Sequence, residues 1–397
     1  MVTVLVAAFA VAMQTWPVKQ ERTMLRADEF PIMAWGSAPG DRQALDEMRA
    51  SGINLAGMVR TADLDQVHAA GLMALVDEAH VGDAEAALSQ EEIDRRVQAL
   101  VDRVAGHPAV LGYYLRDEPN AALFPGLGRW ADAYRRLAPG ELAYVSLFPN
   151  YATPAQLGSE GYEQHLEEFV RHVRPQWITY NHYALMDDGS LRDGYFQNLE
   201  AVRRVAQRHN LPFSNIVLAN AHFHYADPTD GGLRFQVYTT LAYGGRGISY
   251  FTYFAPNIGN YRLAPIDQFM NRTPTWYMLR NVNMQIHTLG PTLLQLRSVG
   301  VVHHPNVPSG SQGISAARHV AEVSGGDLLV GEFDGPAGEP YALVVNKNRH
   351  RSTPFSVRFR QAGTVMMVNA YTGARQAWVG ENVWLAPGQG MLLFVSP

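Results

Sequence analysis

Strand-like and helix-like segments alternate through most of this chain, and that alternation limits its possible folds more than any other feature. Eight apolar, strand-like segments are each followed by a segment of helical periodicity. The strand-like segments are residues 30–35, 53–59, 72–76, 110–116, 142–148, 177–183, 216–221 and 247–254. Eight such units over about 265 residues predict an α/β fold, the (β/α)8 TIM barrel.

The pattern changes after about residue 297. Helical periodicity disappears, and short strand-like segments are separated by turns rich in Gly, Pro and Asn. These segments are residues 328–333, 341–346, 353–358, 364–368 and 391–395. The sequence therefore predicts a barrel over residues 30–297, followed by a small antiparallel β-sandwich-like domain over residues 298–397.

The first 29 residues are expected to be a signal peptide and a lead-in to the barrel. Residues 2–13 form a nearly unbroken apolar run that is too short to span a bilayer. Ala10, Val11 and Ala12 have the small-x-small pattern of a cleavage site. No Lys or Arg precedes the run, so an N-terminal strand is the alternative. We expect export to the periplasm or the medium, without stable membrane insertion.

Composition and missing motifs exclude several classes of function. The 397 residues carry a net charge of −5 and no long basic run, which argues against nucleic-acid binding. With no cysteine, the chain has no disulfide, thiol nucleophile or thiolate metal site. It also lacks a Walker A loop, a Gly-x-Ser-x-Gly elbow and an HExxH motif. A doubly wound open sheet is the main alternative fold, but no Gly-rich loop follows the first strand. No cofactor is expected.

The fourth strand-like segment ends in adjacent carboxylates. The apolar run from Gly112 reaches Asp117 and Glu118, and Pro119 then ends the strand. Glu118 is thus expected at the C-terminal end of strand four, where parallel α/β barrels carry their active sites. A carboxyl group on a rigid strand end is suited to general acid catalysis.

This Asp-Glu-Pro motif resembles the strand-four motif of the clan A glycoside hydrolases, with Asp117 in the usual position of Asn. The β-domain after the barrel, with its segment 341–346, also resembles that group. The resemblance implies a glycoside hydrolase that acts on the O-glycosidic bonds of a poly- or oligosaccharide, with Glu118 as the acid. If Glu118 faces the barrel axis, Asp117 is expected to point away from it, since side chains alternate along a strand, unless the break in the strand redirects it. Asp117 is then expected to orient a neighbour or pair with Arg116.

The resemblance fails at strand seven, where retaining members of that clan carry a nucleophilic Glu. Residues 216–224 contain no carboxylate. Three explanations stay open: a wrong strand count, an inverting enzyme, or a different mechanism, including a non-catalytic carbohydrate-binding barrel. An inverting enzyme needs a base about 6.5–9.5 Å from the acid, against about 5–5.5 Å for retention. The candidate second carboxylates are Asp77 and Glu78, then Asp187, Asp188 and Asp227.

Other polar and aromatic residues near the strand ends are candidate substrate contacts. Histidines at a barrel rim can donate to sugar hydroxyls, or bind a metal if a third ligand converges on them. Aromatic rings stack on the apolar faces of sugars. The predicted substrate-binding residues are Trp35, Asp117, Asn150, Asn181, His182, Tyr183, His222 and Tyr253, and no metal site is predicted.

Overall fold

The computed structural model describes residues 28–104, 106–380 and 383–396. Eight parallel strands form a closed barrel in chain order, and β1 pairs with β8 through Met33 and Ser249. The strands β1 to β8 are Ile32–Ser37, Leu55–Val59, Met73–Val76, Val110–Asp117, Leu142–Leu147, Ile178–Asn181, Phe213–Leu218 and Ile248–Phe251. The predicted barrel and the predicted strand count are both confirmed.

Helices surround the barrel and connect its strands. The helices α1 to α10 are Arg42–Ala50, Leu64–Ala69, Asp83–Ala86, Gln90–Val104, Phe124–Leu137, Pro154–Leu157, Tyr162–Val173, Tyr195–Arg208, Asp230–Ala242 and Pro274–Leu293. In α4 the apolar stripe that includes Ile93, Val97 and Leu100 is buried, as the periodicity predicts. Only one of the two hydrogen bonds of the predicted capping box forms, in which the Ser89 hydroxyl accepts from the Glu92 N–H. The Glu92 carboxylate pairs with Arg95 and Arg96 instead.

The barrel interior is filled by its own apolar cluster. That cluster is separate from the larger core between the strands and the helices, because alternate residues of each strand face opposite sides. Its buried members are Met33, Leu55, Met58, Leu75, Leu111, Tyr114 and Tyr144. Tyr114 lies nearer than Leu111 to the C-terminal end of β4, which Asp117 closes.

The C-terminal region contains two antiparallel sheets around a second core, which confirms the predicted sandwich-like domain. The strands β9 to β17 are Arg297–His304, Val320–Gly325, Leu328–Asp334, Pro340–Asn346, Thr353–Phe359, Thr364–Val368, Arg375–Ala377, Trp384–Leu385 and Gly390–Ser396. The domain packs closely on α9, since a Cβ at Gly331 would lie 2.1 Å from the Ala242 carbonyl oxygen. Only a glycine fits there.

The predicted signal segment lies almost entirely outside the described residues, so export stays a prediction. Within the described ranges, no helix is long and apolar enough to cross a membrane.

Candidate active site

Glu118 is held at the C-terminal end of β4 by a sharp break in the backbone. Its φ is 43°, in the left-handed region that side-chain-bearing residues rarely adopt. Its N–H donates to the Ser146 carbonyl oxygen at 2.8 Å, so the break stays tied to β5. At the end of β6, Asn181 donates from Nδ2 to the Glu118 Oε1 at 2.7 Å. Asn181, predicted as a substrate contact, thus orients the carboxyl group of Glu118.

Asp117 does not point away from this site, contrary to the sequence-based expectation. The β4–β5 ladder shifts register between Tyr114 and Arg116, and this irregularity interrupts the simple alternation of side chains. Asp117 Oδ1 accepts from Ser146 Oγ at 2.5 Å. Arg116 pairs with Asp83 at 2.8 Å instead of with Asp117. Asp117 and Glu118 therefore lie together at the rim.

The surroundings of both carboxyl groups favour their protonated forms. Burial raises the pKa of Glu118, the hydrogen bond from Asn181 opposes that rise, and the neighbouring Asp117 adds to it. Burial also raises the pKa of Asp117, against the hydrogen bond from Ser146. Burial, and to a smaller extent the charges of Asp117 and Glu118, raise the pKa of the Tyr183 hydroxyl. Both shifts favour retention of a proton at this pair, which is the property that a general acid needs.

The two candidates after β3 have different environments. Both Glu78 carboxylate oxygens accept from the Thr61 N–H, at 2.9 and 3.1 Å, and Oε1 also accepts from Thr61 Oγ1. Glu78 thereby ties the end of β3 to the end of β2. Burial and then the Glu78 charge raise the pKa of Asp77, while His80 lowers it. Asp77 is therefore the better placed of the two for proton transfer.

His80 is a rim residue that sequence reasoning missed. Its ring lies 6.2 Å from that of Tyr114, and its charge lowers the pKa of both Asp77 and Asp117. The signal was present, because His80 follows Asp77 and Glu78 within the same strand-end turn.

The other candidate bases are engaged at the surface. Asp188 accepts from the Ser190 N–H inside a turn, and Asp227 pairs with Arg262 at 2.7 Å. Asp187 is exposed and 4.0 Å from His224 Nδ1. Across residues 28–104, 106–380 and 383–396, no group of three or more His, Cys, Asp or Glu side chains is arranged to hold a metal ion.

The end of β7 is uncharged. Buried Asn220 donates to Thr252 Oγ1 at 3.0 Å, and its Oδ1 lies 2.8 Å from His222 Nδ1. His222 stacks on Tyr261 at 4.6 Å, and burial lowers the pKa of its ring to about 4, so the ring is neutral at pH 7. Because the strand count is confirmed, a miscount does not explain the missing nucleophile. An inverting enzyme and a different mechanism stay open.

Aromatic rings form a wall at the C-terminal ends of β1, β6 and β8. Tyr183 packs against Phe251 at 5.1 Å and His222 at 6.0 Å between ring centroids. Trp35 packs on the other side of Phe251 at 5.3 Å, and its Nε1 has no partner among the described residues. A cavity of about 380 Å³ opens beside Trp35 and Phe251. Sequence reasoning missed Phe251, although Tyr250 bonds Asn283 of α10 and alternation then turns Phe251 inward.

Three other predicted contacts bond or pack with residues of the surrounding helices and loops, and one of them, Tyr253, also lines the cavity beside Trp35. His182 is 1% exposed between the rings of Tyr151 and Tyr195, where burial lowers its pKa to about 3. Asn150 donates to the Gly194 carbonyl oxygen at 2.9 Å. The Tyr253 hydroxyl accepts from Trp276 Nε1 at 3.0 Å. Alternation explains the placement of His182, which lies between inward-facing Asn181 and Tyr183. It does not explain that of Tyr253, which lies two residues beyond inward-facing Phe251 but after the end of β8.

Comparison with known proteins shows likeness in structure alone. No protein-family model matches the chain, and no curated protein matches it. A GH42 β-galactosidase from G. stearothermophilus superposes with a TM-score of 0.62 at 8% identity, covering 94% of this chain and 99% of that one. A glycoside hydrolase family 5 protein from Bacteroides vulgatus gives 0.56 at 13% identity, with 92% and 88% covered.

A β-galactosidase from the psychrophilic Marinomonas ef1 gives a TM-score of 0.53 at 12% identity. The match covers 68% of this chain and spans only 62% of that protein's length. At these identities the likeness concerns the fold. The closed barrel with a β-domain behind it is therefore the fold of the TIM-barrel glycoside hydrolases.

Proposed function

We propose that this protein is a glycoside hydrolase that cleaves O-glycosidic bonds of a poly- or oligosaccharide with Glu118 as general acid. The observation that carries the proposal is the partly buried Glu118 carboxyl group, oriented by Asn181 and held beside Asp117 with a raised pKa. Glu118 gives its proton to the glycosidic oxygen as the bond from that oxygen to the anomeric carbon breaks. The bonding electrons stay on the departing oxygen, which leaves as a hydroxyl group.

Asp77 is the proposed general base. Its carboxylate lies in the turn after β3, next to the strand that carries Glu118, and Glu78 beside it is already engaged by Thr61. Asp77 takes one proton from a water molecule whose oxygen attacks the anomeric carbon. Since the end of β7 supplies no carboxylate, we propose direct displacement by water and inversion at that carbon. Proton NMR of the first-formed product reads the anomeric configuration directly.

Asp117 is a positioning residue in this proposal. It is fixed by Ser146 and raises the pKa of Glu118 by its charge. Tyr183, Phe251 and Trp35 present aromatic faces on which the C–H faces of a sugar ring can stack. In this proposal the carboxyl groups carry out the chemistry on one side of the rim, and the aromatic wall binds the sugar on the other side.

The test is release of reducing sugar from a panel of polysaccharides and aryl glycosides. We compare wild type with Glu118→Gln, and with Glu91→Gln on the exposed face of α4 as the matched control. Hydrolysis that is lost only in Glu118→Gln supports the proposal. Hydrolysis that survives in Glu118→Gln overturns the assignment of the acid.

The uncharged end of β7 favours one alternative, a non-catalytic carbohydrate-binding barrel. Affinity electrophoresis on the same polysaccharides separates the two. Retardation of the wild type by a polysaccharide that it does not cleave supports the binding protein and contradicts the hydrolase.

A further inference from the structure

Phe223 combines two unfavourable features at the edge of the site. It follows His222 in the loop after β7, with a φ of 47°, and its side chain is 66% exposed. A left-handed backbone is strained for a bulky residue, and an exposed phenyl ring gains nothing from burial. Residues held in such conformations concentrate at functional sites.

The neighbouring loop after β8 holds Phe223 in this conformation. Asn260 accepts from the Phe223 N–H through Oδ1 at 2.7 Å and donates from Nδ2 to the Phe223 carbonyl oxygen at 3.0 Å. The two loops are also joined by backbone hydrogen bonds between Ala221 and Arg262, at 2.9 and 3.0 Å. The exposed ring is therefore fixed in place by its surroundings.

A continuous series of rings connects Phe223 with the carboxyl groups. Phe223 lies 5.0 Å from His222, which lies 6.0 Å from Tyr183, and Tyr183 is two residues beyond the Asn181 that donates to Glu118. Tyr261 flanks Phe223 at 6.1 Å and covers His222. An open aromatic surface thus continues the aromatic wall outward from the proposed bond-breaking position.

We propose that Phe223, with Tyr261 beside it, is an accessory subsite for a further sugar ring of an oligosaccharide whose scissile bond lies at Glu118. The inference rests on the proposed function for the position of that bond. The C–H face of a pyranose stacks on the exposed phenyl ring and removes its apolar surface from water. The subsite makes the protein select longer chains over a glycoside with a single sugar.

Binding is measured in the Glu118→Gln background, so that hydrolysis does not interfere. Isothermal titration uses an oligosaccharide series from the polysaccharide that wild type cleaves or binds. Phe223→Gly removes the ring yet suits the left-handed backbone, and Phe223→Tyr keeps a ring. Phe269→Ala removes an 83% exposed phenyl ring from the loop after β8 and is the matched control.

We expect Phe223→Gly to weaken binding of the longer oligosaccharides about 2- to 10-fold. Phe223→Gly should bind a single-sugar glycoside as tightly as its parent does. Phe223→Tyr and Phe269→Ala should bind the longer oligosaccharides as tightly as the parent does. The Tm of Phe223→Gly does not fall, because glycine relieves the strain. A lower Tm with unchanged oligosaccharide affinity would mean that Phe223 is structural, and would overturn the inference.

The two proposals fail in different ways. If wild type binds oligosaccharides without cleaving them, the hydrolase proposal fails and the titration of Phe223→Gly still decides the subsite. If wild type cleaves them and Phe223→Gly binds all lengths as its parent does, only the subsite fails. If wild type binds no oligosaccharide, both are overturned.

Discussion

The ends of β4 and β7 occupy similar positions in the barrel but have opposite chemical character. At β4, a left-handed residue and a register shift bring Glu118 and Asp117 together. After β7, the uncharged side chain of Asn220 is hydrogen-bonded to both His222 and Thr252. In the proposed function, this difference confines proton transfer to the β3–β4 side, and the β6–β8 side supplies the stacking surface for the sugar.

Burial acts on both sides, and it favours the neutral form in each case. It raises the pKa of Glu118 and that of Asp117, so it favours the protonated form of each carboxyl group. It lowers the pKa of His222 to about 4, so that ring stays unprotonated near neutral pH. A single physical cause thus favours protonated carboxyl groups on one side and a neutral, stacking imidazole on the other.

The largest expected effect is a difference in catalytic rate between variants of Asp77 and Glu78. Asp77→Asn removes the proposed base and should lower kcat by about 10²- to 10⁴-fold. Glu78→Gln weakens the tie to Thr61 and should lower stability by about 1 kcal/mol while most activity remains. Steady-state kinetics and thermal unfolding of both variants make the comparison. A larger kinetic loss in Glu78→Gln than in Asp77→Asn would reverse our assignment.

Asn220→Ala tests whether the β7 side is free of catalytic charge. The variant leaves Thr252 and His222 without their partner, so we expect a loss of about 1–3 kcal/mol in stability. At temperatures where it stays folded, kcat should remain within about tenfold of wild type, because no charge is lost. Unaltered stability with a loss of activity as large as that of Asp77→Asn would place catalysis on β7.

Two neighbours of Glu118 should move the pH profile in opposite directions. Asn181→Leu removes the hydrogen bond that lowers the pKa of Glu118, so the basic limb of kcat/KM should move to higher pH. Asp117→Asn removes the charge that raises this pKa, so the limb should move to lower pH. Shifts of the same sign in both variants would show that Glu118 does not control the limb.

The smallest effect concerns stability. Burial raises the pKa of Glu118 above its ordinary value of 4.5, so its ionised form opposes folding. That opposition is absent below the unfolded pKa and grows as pH rises through the folded pKa. Glu118→Gln should therefore raise the Tm at about pH 8, and the gain should shrink toward about pH 4. A Tm difference that is the same at both pH values would contradict the raised pKa.

Local patterns were enough to predict the barrel, its strand order and the position of Glu118, because hydrophobic periodicity is encoded segment by segment. The direction of Asp117 was predicted wrongly, because the register shift in β4 depends on how β5 pairs with it. The link from Asn181 to Glu118 joins residues 63 positions apart, and no sequence pattern announces it. Phe251 was within reach of sequence reasoning, since strict alternation from Tyr250 places it inward.

The most direct test of Glu118 as general acid compares leaving groups. Dinitrophenolate departs without protonation, whereas an alkyl alcohol needs a proton from the acid. In Glu118→Gln, hydrolysis of the alkyl glycoside should fall by about 10²- to 10⁴-fold, and hydrolysis of the dinitrophenyl glycoside of the same sugar should fall far less. Equal losses on both substrates would contradict the account, because a residue that only binds or shapes the site would slow both alike.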